Sequence, residues 1–586
     1  MCGLSFWFRY LAAGIDDDAI VLAARALQPR GPDGSATLKF QMTSGEPGLM
    51  CFHRLAIINR NENGMQPFRT DGARFMCTGE IYNHTQLQMD EGISEEMRSD
   101  VEVVMRMLTR DGSDEGAGVT CRRLDGDFAF VYTRGDRVIA GRDPVGVRPL
   151  FYGVKEGRVV AFASEAKALT AAGCLDDVHA FPPGCFWSSD LEGFVQYTDV
   201  YDAAPAARTA EMAMHAWIGA DKSSARPYQA AVRRLLTESV RKRVDHSDRP
   251  IAFLCSGGLD SSIVVALAAE MYPHRELHAF SVEFEGAASQ DAVYATELLK
   301  LLPRVEHTRV TLTEEQALTY MRDVVQVCET ADVRTLRAAV PMFHLAKYIS
   351  ERTEYKVVLS GEGADEAFMG YFYFRMATSP EAACDEAKRL VRGLYAFDLL
   401  RADRCFAAHG LEVRVPFLDR DLLRCVFAMP AGVRHDADGG SIVEKALLRE
   451  AFSDVEALER TGIIHRGKMC LSDGVGYTMV ERLVHSASGS VEDDDASSAA
   501  PREPSFADEM KMYAQGQILG RSTQLAKMGE RAQQLSADIQ SKTAALNEVR
   551  SQIVHLQGGL AATREFAARM ETLSAPPSAD QLINET

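Results

Sequence analysis

Short apolar runs separated by turn-forming residues dominate residues 1–200 of the chain. RFMCTGEIYN (74–83), DFAFVYTR (127–134) and RVVAFAS (158–164) are examples of such runs. Short runs rich in aromatic and β-branched residues predict β-strands rather than long helices. We therefore predict an α+β domain over residues 2–205, built from stacked antiparallel sheets with a few helices.

The pattern changes near Pro227, after a weakly patterned, Ala-rich stretch over residues 203–226 that we interpret as a linker. Helical segments now alternate with short buried runs, namely IAFLC (251–255), LHAFSVEF (277–284) and YKVVLSG (355–361). Alternation of helices with buried strands is typical of a parallel sheet covered by helices. The second predicted domain is an α/β domain over residues 226–485.

Two further segments follow the second domain. Residues 486–505 are acidic, rich in Ser and Pro and poor in apolar residues, which predicts a disordered linker. Within residues 515–573, apolar residues recur at a three-four spacing from Leu525 to Leu560. This heptad pattern predicts a coiled coil, and with it a homo-oligomer or a partner helix. A single amphipathic helix that packs on the main body is the alternative.

The composition disfavours several classes of function. Hydrophobic residues make up 46% and charged residues 25%, as in globular proteins. The formal net charge of −19 disfavours nucleic acid and anionic membranes as partners. The sequence shows no apolar run of membrane-spanning length and no signal-peptide pattern. The twelve cysteines form no C-x-x-C pair, which favours reduced thiols and predicts a cytoplasmic location.

The stretch SGGLDSS (256–262) lies between a predicted strand and a predicted helix. Its two glycines, Gly257 and Gly258, allow a tight turn and the close approach of a ligand. Free N–H groups at the helix start, with the positive end of its dipole, favour phosphate. The carboxylate of Asp260 would repel phosphate unless Mg²⁺ lies between them. A phosphate site is thus predicted, with a plain glycine-rich turn as the alternative; the spacing excludes a Walker loop.

The chain begins MCGL, which places a cysteine at position 2. Removal of Met1 would leave Cys2 with a free α-amine, and that amine can act as the base for the thiol beside it. Such a residue can attack an amide and form a thioester. A cysteine at this position is, by itself, more often structural or incidental.

Six segments of the first domain follow one another in a recognisable order. They are RGPD (30–33), HRLAI (53–57), GEIYNH (79–84), RSD (98–100), DGDFAF (125–130) and GRDPVGVRPLFY (141–152). In order and spacing they resemble the glutaminase domain of class II glutamine amidotransferases, which are N-terminal-nucleophile hydrolases. The resemblance covers roughly the first 190 residues and implies that Cys2 is the nucleophile.

The resemblance also implies how glutamine would bind. Arg54 would pair with its α-carboxylate, and Asp100 would bind its α-ammonium. Gly79 would donate a backbone N–H to the oxyanion, and Glu80 would line the same pocket. Taken singly, Arg54 could instead be a surface ion-pair partner and Asp100 a helix N-cap.

Two positions depart from the family pattern. Thr78 stands where the family has an Asn whose side chain donates to the oxyanion. A Thr hydroxyl is also a donor, but it reaches less far and is β-branched, which predicts weak glutamine use and a relative preference for ammonia. Phe6 stands where the family opening, M-C-G-I-x-G, has its second Gly, so the strand behind Cys2 is expected to repack.

The second domain carries a longer series of segments. They are SGGLDSS, ETADVRTLRAAVPMF (329–343), VLSGEGADEAFMGY (358–371), EVRVPFLD (412–419), VEKALLRE (443–450) and LSDGVGY (471–477). The first resembles the pyrophosphate-binding loop of ATP pyrophosphatases. The whole series resembles the glutamine-hydrolysing asparagine synthetases, over about residues 2–480, and leaves the linker and the coiled coil outside.

This second resemblance implies ATP and Mg²⁺ as cofactors. Asp260 and Asp365 would face Mg²⁺, and Lys445 would neutralise phosphate or donate a proton. Glu362 would take a proton from ammonia as it attacks. The residues implied to frame ATP and pyrophosphate are Leu254, Ser256, Gly257, Gly258, Asp260, Ser261, Val282, Ser360 and Gly361. The alternatives are a solvated lysine at 445 and a solvated pair at Asp365 and Glu366.

Together the resemblances imply an ATP-dependent amidation of aspartate to asparagine. Glutamine would be hydrolysed at Cys2, ammonia would cross through an internal tunnel, and an aspartyl-adenylate would be converted with release of AMP and pyrophosphate. Two alternatives remain open. One is amidation of another acid, as in the β-lactam synthetase branch, which generally lacks a working glutaminase Cys. The other is an assembly subunit that keeps the fold and uses the coiled coil.

Overall fold

A computed structural model of the chain describes residues 1–10, 15–94, 96–199, 226–286, 289–330, 332–435 and 444–467. All of them belong to one compact unit, Met1–Gly489. The Ala-rich linker (203–226, apart from its last residue), the predicted linker (486–505), the predicted coiled coil (515–573) and the segment 471–477 lie outside the described residues. In the described part of the chain, no helix combines the length and the apolar character needed to cross a membrane.

The first half of the unit is built mainly of antiparallel strands. Its strands are β1 (Gly3–Phe8), β2 (Gly34–Gln41), β3 (Pro47–Arg54), β4 (Phe68–Thr70), β5 (Ala73–Ile81), β6 (Gly126–Arg134), β7 (Arg137–Arg142), β8 (Phe151–Lys155), β9 (Arg158–Ala163), β10 (Asp177–Ala180), β11 (Cys185–Ser188) and β12 (Gly193–Gln196). Its helices are α1 (Asp17–Ala24), α2 (His84–Asp90), α3 (Glu102–Arg110), α4 (Asp114–Arg123) and α5 (Lys167–Thr170), with 3₁₀ turns at Arg25–Arg30 and Glu62–Gly64.

Two six-stranded sheets stack against each other. Their strand orders are β10-β8-β9-β1-β3-β2 and β12-β11-β7-β6-β5-β4. Apolar side chains from both inner faces form the core between the sheets, among them Phe6, Phe52, Met76 and Trp187. Helices α2, α3 and α4 cover the outer face of the second sheet, and α1 and α5 cover that of the first. The predicted stacked antiparallel sheets are confirmed.

The second half contains one parallel sheet and most of the helices. Its strands are β13 (Ile251–Leu254), β14 (Leu277–Phe284), β15 (Val305–Leu312), β16 (Val357–Leu359) and β17 (Glu412–Arg414). The helices are α6 (Arg226–Asp245), α7 (Leu259–Met271), α8 (Gln290–Lys300), α9 (Glu314–Cys328), α10 (Val333–Arg352), α11 (Ala364–Ala367), α12 (Pro380–Gly393), α13 (Asp398–Ala407), α14 (Arg420–Ala428), α15 (Ala431–Arg434), α16 (Ala446–Ala451) and α17 (Glu456–Arg460). Further 3₁₀ turns lie at Phe372–Met376, Leu394–Ala396, Pro416–Leu418 and Ile463–His465.

The order of strands in this sheet brings two predicted motifs together. The order is β15-β14-β13-β16-β17, and every neighbouring pair is parallel, which confirms the predicted parallel sheet. The chain runs outward from β13 to β15 and then crosses back to β16, so the order reverses between β13 and β16. Ligands of open parallel sheets bind at the carboxyl ends of the strands beside such a reversal. SGGLDSS follows β13, and SGEGADE (360–366) follows β16.

Ion pairs that are buried or half-buried join the two halves. Lys242 near the end of α6 lies 2.8 Å from Asp125, which precedes β6. Arg30, which is 1% exposed, bonds Asp403 of α13 at 2.7 Å. Because a buried charge is tolerated only with a partner, these pairs fix which surfaces of the two halves meet.

Candidate active sites

Cys2 lies at the start of β1, where the neighbouring strand holds its sulfur. The backbone N–H of Leu55, just after β3, points to Cys2 Sγ at 3.3 Å. The carbonyl of Cys2 accepts a hydrogen bond of 3.1 Å from Arg30 Nε. Arg30 is in turn bound by Glu165 and Asp403, each at 2.7 Å. The arginine of the RGPD segment thus fixes the backbone of the candidate nucleophile.

Cys2 is not a reactive thiol while Met1 precedes it. Burial raises the pKa of the Cys2 thiol to about 11. Burial also lowers the pKa of the Met1 amine to about 5, and the Met1 side chain is fully buried. The thiol is therefore protonated at neutral pH, and the terminal amine belongs to Met1 rather than to Cys2.

Arg54 holds the loop that follows it. Its Nη1 donates to the carbonyl of Asn61 at 2.6 Å, and its Nη2 donates to the carbonyls of Ile58, at 3.4 Å, and Asn59. A Cβ on Gly64 would lie 2.2 Å from Nη2, so a larger residue there would push the guanidinium out of this position. A glutamine carboxylate could pair with this guanidinium only by replacing these backbone carbonyls.

Thr78 and Gly79 lie near the end of β5, directly before Glu80. Gly79 has a φ of +113°, and a Cβ there would lie 1.9 Å from the carbonyl oxygen of Asp127. No other residue fits at this position without moving β6. Thr78 is fully buried, and its hydroxyl has no hydrogen-bond partner within the described residues. A donor is therefore present at the position of the family's Asn, and the structure leaves it unused.

Phe6 packs between the two sheets. Its ring is fully buried and stacks on Phe8 and Phe40, with centroid distances of 5.4 and 6.5 Å. The bulk that replaces the family's glycine is thus absorbed by aromatic stacking in the core between the sheets.

Glu80 and Asp100 converge on His246, the residue after α6. His246 Nε2 lies 3.1 Å from Glu80 Oε2 and 3.3 Å from Asp100 Oδ2. Burial works to lower the pKa of His246, but its hydrogen bond to Asp100 and its ion pair with Glu80 raise that pKa to about 9. The three ligand atoms lie within 4.8 Å of one another, close enough to hold a metal ion. As the structure stands, the three side chains form an ion-pair cluster, and a metal ion would have to displace the imidazole proton in order to bind there.

The glycine-rich loop SGGLDSS is tied together by its own hydroxyls. Ser261 Oγ accepts the backbone N–H of Ser256 at 3.1 Å and lies 3.1 Å from its Oγ. Gly257 has a φ of +78°, and a Cβ there would lie 2.5 Å from the carbonyl oxygen of Asp291. Helix α7 begins at Leu259 with no side-chain cap. Its first N–H groups can therefore donate to an anionic ligand.

Lys445 connects the two glycine-rich loops. Its Nζ lies 2.5 Å from Asp260 Oδ2 and 2.8 Å from Asp365 Oδ1, and the residue is 4% exposed. A Cβ on Gly370 would lie 2.3 Å from Lys445 Cε, so this glycine makes room for the lysine. Three side chains that the sequence places far apart thus meet at the carboxyl ends of β13 and β16.

The two carboxylates are suited to Mg²⁺. Asp260 and Asp365 both reach a single ammonium group, so their oxygens converge on one point, and each side chain is 15% exposed. Mg²⁺ is usually bound by one or two carboxylates together with phosphate oxygens and water. The donor set therefore fits this ion beside a nucleotide.

The remaining predicted nucleotide residues also lie at these strand ends. Leu254 ends β13, Val282 lies in the last part of β14, and Ser360 follows β16. A Cβ on Gly361 would lie 3.0 Å from Asp260 Cβ, so the two loops touch there. Glu362, in the loop after β16, has its Oε1 at 3.4 Å from Arg401 Nη2 of α13.

Comparison of the chain with known proteins identifies its family. The glutamine amidotransferase domain model matches residues 1–181, and the asparagine synthase model matches residues 231–393 and 386–537. The chain is 34% identical to a probable asparagine synthetase [glutamine-hydrolyzing] of Acanthamoeba polyphaga mimivirus, over 81% of this chain and 86% of that protein. It is 35% identical to the asparagine synthetase [glutamine-hydrolyzing] of Homo sapiens, over 81% and 84%. The chain belongs to the asparagine synthetase family.

As a member of the asparagine synthetase family, the protein is an enzyme, a glutamine-hydrolysing ligase that forms carbon–nitrogen bonds. Among solved structures, an allosteric regulatory enzyme of purine biosynthesis aligns with a TM-score of 0.29 and 16% identity, over 53% of this chain and 80% of that chain. No conclusion follows from an alignment at that score.

Nothing in the sequence indicated the role of Arg414 in this member of the asparagine synthetase family. Its Nη2 lies 3.2 Å from Glu80 Oε1, and its Nε lies 2.9 Å from Glu412 Oε1. The side chain is fully buried and also donates to the backbone carbonyl of His246 at 2.6 Å. Arg414 lies in the segment EVRVPFLD, which resembles the family, but only the fold shows that its side chain reaches the first domain.

Glu366 is a second residue without a predicted role. It is 4% exposed, and burial, followed by the charge of Asp365, raises the pKa of Glu366 to about 8. Tyr371 donates a hydrogen bond to it. We infer that the carboxyl is partly protonated at neutral pH beside the candidate nucleotide site.

Proposed function

We propose that the protein makes asparagine by amidating the β-carboxyl of aspartate with ATP. The nitrogen comes from glutamine hydrolysed at Cys2, and the reaction passes through an aspartyl-adenylate that ammonia attacks. Glutamate, AMP and pyrophosphate are the other products. The cluster of Lys445 with Asp260 and Asp365 at the strand ends carries the proposal, because it joins a cation and two carboxylates beside a glycine-rich loop.

The residues of the second site have separate tasks in this reaction. The loop 256–262 and the start of α7 bind the phosphates through backbone N–H groups, and Ser256 and Ser261 shape the loop. Asp260 and Asp365 would hold Mg²⁺, which supplies positive charge to the phosphates. Lys445 neutralises charge on the departing pyrophosphate, and Leu254, Val282, Ser360 and Gly361 frame the nucleotide. Glu362 accepts the proton of ammonia, and Arg401 orients its carboxylate.

The first site uses Cys2 after Met1 has been removed. The freed α-amine then takes the thiol proton, and the thiolate attacks the amide carbon of glutamine. Arg54 binds the α-carboxylate, Asp100 and Glu80 receive the α-ammonium, and Gly79 with Thr78 donates to the oxyanion. The raised pKa of the Cys2 thiol in the Met1-bearing form supports the need for this processing.

A single assay with two nitrogen sources tests the proposal. Purified protein is given ATP, Mg²⁺ and aspartate with either glutamine or ammonia, and AMP and asparagine are both measured. Equal amounts of AMP and asparagine from either source are expected. Formation of AMP with another acid but not with aspartate would favour a related amide synthetase. No AMP from any acid would favour an assembly role for the fold.

Replacing Thr78 with Asn is expected to raise glutaminase turnover by at least about tenfold, since one missing oxyanion donor costs roughly 10² to 10³ in rate. The measurement is glutamate release at saturating glutamine, with unfolding temperature as the check on folding, because Thr78 is fully buried. Thr133, a fully buried Thr of β6, serves as the matched control when changed to Asn. A wild-type enzyme as fast on glutamine as on saturating ammonia would contradict this prediction.

We also propose that the heptad segment assembles the enzyme in the cytoplasm. The asparagine synthase match reaches residue 537, so a test must lie beyond it. Leu546→Glu combined with Leu556→Glu places charge in the apolar seam and is expected to lower the mass seen by light scattering. Ammonia-dependent synthesis should persist. An unchanged mass together with unchanged co-purifying proteins would contradict assembly through this segment.

A further inference from the structure

The two carboxylates proposed to receive the ammonium of glutamine are bonded by a residue from the other half of the protein. His246 lies in the segment 246–249, between the end of α6 and the start of β13. Its side chain is 10% exposed, and the side chains of Glu80 and Asp100 are 5% and 3% exposed. An imidazolium in this position has the charge and the donor of an ammonium group.

We propose that His246 sets the affinity of the glutaminase site for glutamine. Its imidazolium takes the position of the substrate α-ammonium, and glutamine must displace it in order to bind. The inference rests on the proposed function, in which Glu80 and Asp100 receive that ammonium.

The hydrogen-bonding capacity of the carboxylates supports displacement rather than sharing. Asp100 Oδ2 accepts the backbone N–H of Ile81 at 2.7 Å as well as His246, and Oδ1 accepts the hydroxyl of Ser99 at 2.8 Å. Glu80 Oε1 faces Arg414 Nη2 at 3.2 Å. An ammonium group brings three donors of its own. With His246 in place, both oxygens of Asp100 already accept hydrogen bonds. Glu80 Oε2 accepts none within the described residues, but it faces the imidazolium at 3.1 Å, where the ammonium would have to lie.

The charges around His246 lead to the same conclusion. Glu80, Asp100 and Glu412 are the carboxylates of the cluster, and Arg414 and Arg148 join His246 as its cations, with Arg148 Nη2 at 3.4 Å from Glu412. Three negative groups thus face three positive groups. Burial lowers the pKa of the neighbouring His84, whose ring lies 5.0 Å away, so this ring is neutral. Burial raises the pKa of Tyr82, whose ring lies 5.5 Å away, so this group is neutral as well.

An added ammonium would leave this buried cluster with an uncompensated positive charge, which is costly where water is excluded. Burial, followed by the charges of Asp100 and Glu412, raises the pKa of Glu80 to about 7. At neutral pH this carboxyl therefore carries less than a full negative charge, which leaves less to compensate a second cation. Removal of the imidazolium restores the balance.

The segment 246–249 also reaches the other end of the proposed glutamine pocket. Arg249 Nε donates to the carbonyl of Ala56 at 2.9 Å, and Asp248 Oδ2 accepts the backbone N–H of Asn59 at 2.8 Å. Both partners belong to the loop whose carbonyls hold Arg54. One segment therefore borders both the ammonium end and the carboxylate end, and it lies outside helix and strand, where it can shift.

Calorimetric titration of glutamine into the full-length Cys2→Ala protein tests the proposal, because binding is then measured without hydrolysis. Adding His246→Gln, which keeps a donor but removes the cation, is expected to tighten binding by at least about fivefold, the scale of one partly buried charge pair. Adding His246→Lys keeps a cation and is expected to bind no tighter than the parent. The matched control, His84→Gln, changes the neutral neighbour and should leave the affinity within twofold.

Weaker or equal binding by the His246→Gln protein, at the unfolding temperature of the parent, would overturn displacement and leave the glutamine site standing. Should that variant unfold earlier, His246→Asn takes its place under the same criterion. No glutamine binding by the parent or by any variant would overturn the proposed glutamine site, and displacement with it.

Discussion

Replacing Asp260 with Asn is expected to lower asparagine synthesis by about 10² or more with glutamine and with ammonia alike, the usual scale for a metal-positioning group. Asp260 and Asp365 are the two carboxylates that meet at Lys445 Nζ, at 2.5 and 2.8 Å. The amide keeps the size of the side chain but removes the charge that would bind Mg²⁺ beside the phosphates. Both nitrogen sources must fail together, because ammonia from either source attacks the same aspartyl-adenylate, which is made from ATP at this site.

The measurement is AMP and asparagine from the same reaction, with glutamate release recorded separately. Glutamate release should persist, since Cys2 and its pocket are in the other half of the unit. Glu270→Gln is the matched control, as it neutralises an exposed carboxylate on the same helix, α7. Wild-type synthesis by the Asp260→Asn enzyme would remove this residue from the metal site.

The sheets were predictable because their cause is local. Runs such as 127–134 alternate between two apolar faces, and β6 places Phe128 and Phe130 in one core and Ala129 and Val131 in the other. The alternation of helical segments with short buried runs likewise predicted the parallel sheet of the second half. Successive side chains of a strand point to opposite faces of the sheet, so the sequence of that strand alone largely determines which residues are buried. The pattern of apolar residues is therefore enough to predict the strands.

The meeting of Lys445 with Asp260 was predictable only from resemblance. These residues are separated by 185 positions, and no periodicity links them. The reversal of strand order between β13 and β16 brings the loops of Asp260 and Asp365 together, and Lys445 reaches both of them. The reason for a glycine at position 370, which leaves space for the side chain of Lys445, is visible only in the fold.

His246 gave no signal in the sequence at all. It lies in VDHSDRP, a polar stretch between a helix and a strand, where a solvated histidine is the ordinary expectation. Its two partners belong to the other half of the unit, so the interaction depends on how the halves pack. The pairing of Arg414 with Glu80 was hidden for the same reason.

Replacing Cys2 with Ala is expected to abolish glutamine-dependent synthesis and to leave ammonia-dependent synthesis nearly intact. Only the first reaction needs the thiol as nucleophile, and alanine is also a small residue after Met1, so processing of the N-terminus should be preserved. Removal of the nucleophile of a covalent mechanism typically costs several powers of ten in rate. Asparagine is measured with each nitrogen source, and intact mass records whether Met1 is present.

Cys174→Ala provides the comparison, because Cys174 is a second half-buried thiol of the same domain and no role is proposed for it. It should leave both activities unchanged. Loss of both activities in a folded Cys2→Ala protein would show that the two reactions share one site. Retention of glutamine-dependent synthesis would place the nucleophile elsewhere. The selective loss depends on the separation seen in the fold, in which Cys2 borders β1 while Lys445 and Asp260 lie at the ends of β13 and β16.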